Sequence, residues 1–167
     1  MATAAQRHHL RTLMDELHAH RAQLDYPPHD VRGAADRRTF ALTETQAMHV
    51  LSAGGRLSMD CSEFATELLH WVGCADPNGL HYSYAGYTGT MLAHLPHYSN
   101  PKAAGIGALV VYGPGTGEHV AMVHTPDPKH GNPLLCSHGR PGLDFVYLRD
   151  ESSWHKPPAT FLSIAHL

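Results

Sequence analysis

A chain of 167 residues with 43% hydrophobic content fits one domain, residues 1–167, with a real hydrophobic core and little room for a second. Its formal charge of −3 excludes the strongly basic balance of a nucleic-acid binder, and no apolar run reaches signal-peptide length or the roughly 20 residues of a membrane span. The 16 histidines are the compositional outlier: too many for one metal site, and enough to make net charge sensitive to pH between about 5 and 7.

In chain order, apolar residues at Leu10, Leu13, Met14, Leu17 and Leu24 lay a stripe on one face of a helix predicted from about Ala5 to Leu24. "DYPPHDVRGAADRR" breaks it. "TETQAMHVLSAGG" then opens with a capping-box pattern, Thr43 with Gln46, and stops at Gly54-Gly55, which predicts a second, short helix. A third is predicted over residues 60–73, with Phe64, Leu68 and Trp71 on its buried face and Gly73 as its stop. Residues 74–105 are rich in Gly, Tyr, Pro, His and Asn and read as an irregular connection with one helical turn near "TGTMLAHL". Beyond it, "GALVVYG", "EHVAMVH", "PLLCSH", "DFVYLR" and "TFLSIAH" have strand composition between Gly/Pro turns. Helices followed by antiparallel strands predict an α+β fold, with a helical N-terminal part (1–55) and a core (56–167).

The three cysteines, Cys61, Cys74 and Cys136, match neither a disulfide framework nor a zinc ribbon. Cys61 stands out by position. Asp60 is a plausible N-cap, with Glu63 returning a reciprocal bond, and this puts Cys61 in the first helical turn. There the free N–H groups and the helix dipole favour the thiolate. A free cysteine is more often a buried small hydrophobe, so a nucleophile needs a base and a group that orients it. His119 opens one strand and His138 ends the next, so antiparallel pairing is expected to bring the two imidazoles together. A zinc hydrolase built from His119, His124, His130 and His138 is a weaker alternative, because His119 and His124 are five apart on an extended strand and point to opposite faces. A non-catalytic binding or structural module is the alternative from another class; it predicts that cysteine alkylation leaves function unchanged.

"DCSEF" at 60–64, "GALVVYG" at 107–113, "EHVAMV" at 118–123 and "LCSHG" at 135–139 occur in the order found in the NlpC-type papain-like cysteine peptidases, and the chain resembles especially the peptidase domains of phage lysins. The ordered set covers a little over half of the chain. Ala108 stands where that family commonly has Asp, and Glu63 where a small Gly is usual. The resemblance implies a papain-like fold, N-terminal helices packed on a C-terminal antiparallel sheet, and a catalytic set of Cys61 as nucleophile, His119 as general base and His138 as its orienter. It further implies that Asp60 and Ser62 help to hold a free amine of the substrate, and that an upstream tyrosine sits near the oxyanion. Tyr26 is the candidate, with Tyr82, Tyr84 and Tyr87 as alternatives; Arg32 is a loose candidate for a substrate carboxylate. No cofactor and no metal is expected. The implied activity is hydrolysis of an amide in the stem peptides or cross-bridges of bacterial peptidoglycan, with a separate wall-binding domain or chain as a possible partner. Such a chain would be made in the cytoplasm without a signal peptide and reach the wall by a holin-like route or particle delivery.

Overall fold

The computed structural model describes residues 2–27, 42–83 and 85–167. Arg32 and Tyr84 lie outside these.

The first helix, α1, spans Ala4–Ala19 and begins with a reciprocal cap between Thr3 and Gln6. Leu10, Leu13, Met14 and Leu17 are fully buried along it. Each such side chain contributes about 1.5–3 kcal/mol by leaving water. The helix ends earlier than its apolar stripe predicts. Leu24 belongs instead to a two-residue strand, β1 (Leu24–Asp25), which pairs in parallel with β2 (Leu57–Ser58). Helix α2, Glu44–Ser52, carries the predicted Thr43/Gln46 capping box. Helix α3, Cys61–Trp71, starts at the Asp60 cap. Asp60 Oδ1 accepts from the backbone N–H groups of Ser62 and Glu63 at 2.8 and 3.0 Å, whereas the expected return bond from Glu63 is not part of the cap. Helix α4 covers Thr88–His94, the one helical turn foreseen in the irregular connection, and a short β3 (His97–Tyr98) follows.

The remaining strands are β4 (Leu109–Tyr112), β5 (His119–Thr125), β6 (Leu134–Gly139), β7 (Gly142–Tyr147) and β8 (Ala159–Leu162). They form an antiparallel six-stranded sheet in the order β3-β8-β4-β5-β6-β7. The architecture is α+β. Strand β7 stops short of its apolar pattern: Leu148 opens a fifth helix, α5 (Leu148–Trp154), rather than continuing "DFVYLR" as strand. Leu148 and Glu151, three apart, are its buried residues, and two acidic side chains in its first turn favour the helix start.

All of "LVVY" in β4 is buried because both sheet faces are covered. Leu109, Val111, Val120, Met122 and Cys136 meet α1 and α3 in the main cluster, where Cys61 also sits. Val110, Tyr112, Ala121, Val123 and Leu135 form a second, smaller cluster with Leu148 of α5 on the other face. Each strand therefore delivers alternate residues to two different environments, which decides how the site is built.

Candidate active site

Cys61 is the first residue of α3 and is 5% exposed. The pairing of β1 with β2, extended by the Met59 N–H donating to the Asp25 carbonyl at 3.0 Å, sets the chain after Asp25 beside the start of α3. The Tyr26 hydroxyl consequently donates to Cys61 Sγ at 3.7 Å. The other two described tyrosine candidates are placed elsewhere. Tyr82 donates to the Cys74 carbonyl at 2.7 Å, and Tyr87 precedes α4 and is 47% exposed.

His119, at the start of β5, lies close enough to Cys61 for the two side chains to favour each other's charged forms. Its Nε2 lies 2.9 Å from Ser137 Oγ and 3.2 Å from Glu151 Oε1, and the Ser137 hydroxyl donates to the same Glu151 oxygen at 2.6 Å. Because the serine hydrogen goes to the carboxylate, Nε2–H is the donor toward both oxygens, and Nδ1 is the nitrogen left for the sulfur. His155, directly after α5, stacks on His119 with centroids 4.4 Å apart and planes 8° from parallel, and its Nε2 lies 3.3 Å from Glu151 Oε1.

The protonation states follow from these contacts. Burial disfavours a charged thiolate at Cys61, but the hydrogen bond and charge of His119, with help from the Val120 N–H, outweigh it and leave the thiol below its ordinary value. Burial likewise opposes a charged His119, yet its partners Cys61 and Glu151 push it up to about 9. Glu151 is held below the usual carboxylate range: its burial is overcome by hydrogen bonds from His119 and Ser137. The three groups favour a thiolate, an imidazolium and a carboxylate in series.

His138 is not the orienter of His119. The β5/β6 register pairs Ala121 with Ser137 and Met122 with Cys136, so His119 falls opposite Gly139, and His138 falls opposite Val120 on the other face. Ser137 is the diagonal neighbour that shares the His119 face. A Cβ at position 139 would lie 3.8 Å from His119 Cε1, an ordinary van der Waals contact, so the place of the ring does not depend on glycine there. The His138 side chain is 1% exposed; its Nε2 lies 2.9 Å from the Met59 carbonyl, and its ring packs between Tyr26 and Phe64. Burial lowers its pKa. The neutral ring ties the sheet to the two segments that carry Tyr26 and Cys61.

Asp60 and Ser62 are also placed differently from the expectation of a substrate amine site. Both are buried, and Asp60 Oδ1 accepts from the Ser62 hydroxyl at 2.7 Å in addition to the two backbone donors. Their mutual contacts set the helix start. A cleft of about 680 Å³ is bounded by Tyr26, His119 and Glu151 on its inner side and by Arg140, Glu118 and Trp154 further out.

Glu151, Ser137 and His155 are the site residues that sequence reasoning missed. The readable signal was the Glu151/His155 spacing of four in "ESSWH", which places two polar groups on one helix face, but it required α5 to be recognised as a helix. The four-histidine alternative is dispersed. His124 pairs with Asp15 at 3.0 Å, His130 with Asp127 at 3.4 Å, and His138 with the Met59 carbonyl. No family model matches the chain, and no curated protein or solved structure does.

Proposed function

We propose that this chain is a cysteine peptidase of the NlpC-type papain-like class and hydrolyses an amide bond in bacterial peptidoglycan. The observation that carries the reading is the series Cys61, His119, Glu151: a thiol at a helix N-terminus, beside an imidazole that favours its thiolate and whose Nε2 faces a buried carboxylate. A nucleophile, a base and an orienter in this relation are what acyl transfer through a thioester needs.

In the first half-reaction the Cys61 thiolate bonds to the scissile carbonyl carbon. His119 gives its Nδ1 proton to the leaving nitrogen as the C–N bond breaks. In the second, His119 takes a proton from water, the hydroxide attacks the thioester carbon, and the C–S bond breaks to release the acid and restore the thiolate. The Cys61 main-chain N–H and the Tyr26 hydroxyl are the donors nearest to a developing oxyanion; loss of one such donor typically raises the barrier by about 2.7–4 kcal/mol. Glu151 stabilises the imidazolium. Peptidoglycan as substrate follows from the ordered motifs, and a cleft carrying Arg140 together with Glu118 and Asp144 suits a peptide bearing charges of both signs.

Mass spectrometry of muropeptides after incubation of peptidoglycan with wild type and with Cys61→Ser tests the proposal. Wild type alone should release fragments with one new amine and one new carboxyl terminus, which also names the bond. Identical profiles from the two proteins refute it.

A further inference from the structure

His119, Glu151 and His155 have a second capability. We propose that they form a binding site for Zn²⁺ or a similar borderline divalent cation, and that filling this site switches off Cys61 chemistry. The second half rests on the peptidase reading; the first does not.

The donor atoms of the three side chains all lie within 4.8 Å of one another. Glu151 Oε1 is 3.2 Å from His119 Nε2 and 3.3 Å from His155 Nε2. Two imidazoles and one carboxylate are a donor set that zinc accepts with a fourth position open, and all three side chains line the cleft. Glu151 and His155 are held four residues apart at the end of α5, and His119 comes from the sheet, so the ligands are fixed from two rigid sides. The parallel stacking of the two rings must relax for both lone pairs to converge. His155 is the ring able to tilt, because its side chain is 26% exposed at the helix end, whereas that of His119 is 7% exposed.

Metal binding and the peptidase compete for one atom. On zinc binding the Nε2 proton of His119 leaves to solvent, a metal–nitrogen bond takes its place, and Ser137 loses its contact with that nitrogen. The ring then carries its remaining proton on Nδ1 and is neutral apart from the metal. It can neither accept a second proton there as a base nor form the imidazolium that Glu151 stabilises. The Nδ1 proton stays, but on a neutral metal-bound ring it is far less acidic than on the imidazolium, so the leaving amine is left with a poor proton donor.

The direct test is titration of the metal-free protein with Co²⁺, followed by visible absorption. Cys61→Ser serves as a background without the thiol, so that the readout needs no catalysis. One equivalent should give the intense bands of four-coordinate Co²⁺, and one equivalent of Zn²⁺ should remove them. His155→Ala and His155→Gln should each weaken binding by at least about tenfold, whereas His130→Ala, a control at an exposed histidine, should not change it. Unaltered bands and stoichiometry in both His155 variants, or no tight site in wild type, overturn the metal site. For the second half, muropeptide release by wild type should stop near one equivalent of Zn²⁺ and return with EDTA, and His155→Ala should need at least about ten times more. Equal zinc sensitivity of the two proteins, or stimulation by zinc, overturns the switch. A wild type that binds Co²⁺ as described but releases no muropeptide with or without EDTA sinks the peptidase reading and leaves the metal site standing.

Discussion

Glu67 lies in the middle of the helix that presents Cys61, fully buried, and neither carboxylate oxygen has a hydrogen-bond partner among the described residues. His70 Nδ1 lies 3.7 Å from Glu67 Oε2, too far for a hydrogen bond. Burial pushes the Glu67 carboxyl from its ordinary 4.5 up to about 8, so the folded protein carries it protonated at neutral pH. Because the folded value is raised, the resulting destabilisation is absent below pH 4.5, grows as pH rises, and is complete above about 8. At about 1.36 kcal/mol per pH unit, it is about 3 kcal/mol at pH 7 and less than about 1 kcal/mol at pH 5. Glu67→Gln removes the titration while keeping the shape. Its amide brings an offset of its own, but that offset does not vary with pH. The stability of Glu67→Gln relative to wild type should therefore rise by about 2–3 kcal/mol between pH 5 and pH 7, roughly 4–12 °C in Tm for a chain of this size. Urea unfolding followed by Trp fluorescence at several pH values measures it, with Trp71 one turn along the same helix as a reporter. A difference that stays flat from pH 5 to pH 8 would refute the reasoning.

Thiol mapping separates exposure from chemistry, because Cys61, Cys74 and Cys136 are similarly buried at 5, 6 and 1%. Burial raises the Cys74 and Cys136 thiols while the net shift of Cys61 is downward, so iodoacetamide at pH 7 should label Cys61 first; equal labelling of Cys136 would exclude the assigned nucleophile. The pH dependence of kcat/KM has a defined sign. The rising limb should fall below the ordinary thiol value of 9.0 as Cys61 loses its proton, and activity should decline near 9 as His119 loses its own. A single rising limb with no decline up to pH 10 would argue against imidazolium as the acid. Glu151→Gln should lower kcat/KM by roughly 10²–10⁴-fold and move the falling limb to lower pH, whereas Ser137→Ala, losing one neutral hydrogen bond, should cost at most about tenfold. A falling limb that stays near 9 in Glu151→Gln would show that the carboxylate does not support His119.

Local chemistry is what the sequence by itself determined. The capping boxes at Thr43 and the Asp60 cap were legible because side-chain oxygens three residues ahead of an apolar run have one obvious use, and the Asp60 cap fixes Cys61 in the first turn. The stripe from Leu10 to Leu17 and the strand cores were legible as periodicity. The partner of His119 was not, for two reasons that both lie in tertiary structure. Strand register puts His138 on the opposite face from His119 and Ser137 on the same one, and register is set by pairing across the whole sheet rather than by any residue in "LLCSH". The carboxylate comes from α5, where "DFVYLR" carries a strand-like pattern that the second sheet face overrides by burying Leu148 and Glu151 as helix. The candidate thiol and its place at a helix start were thus written in the sequence, while the carboxylate facing His119 was set only when the sheet closed and α5 folded over it.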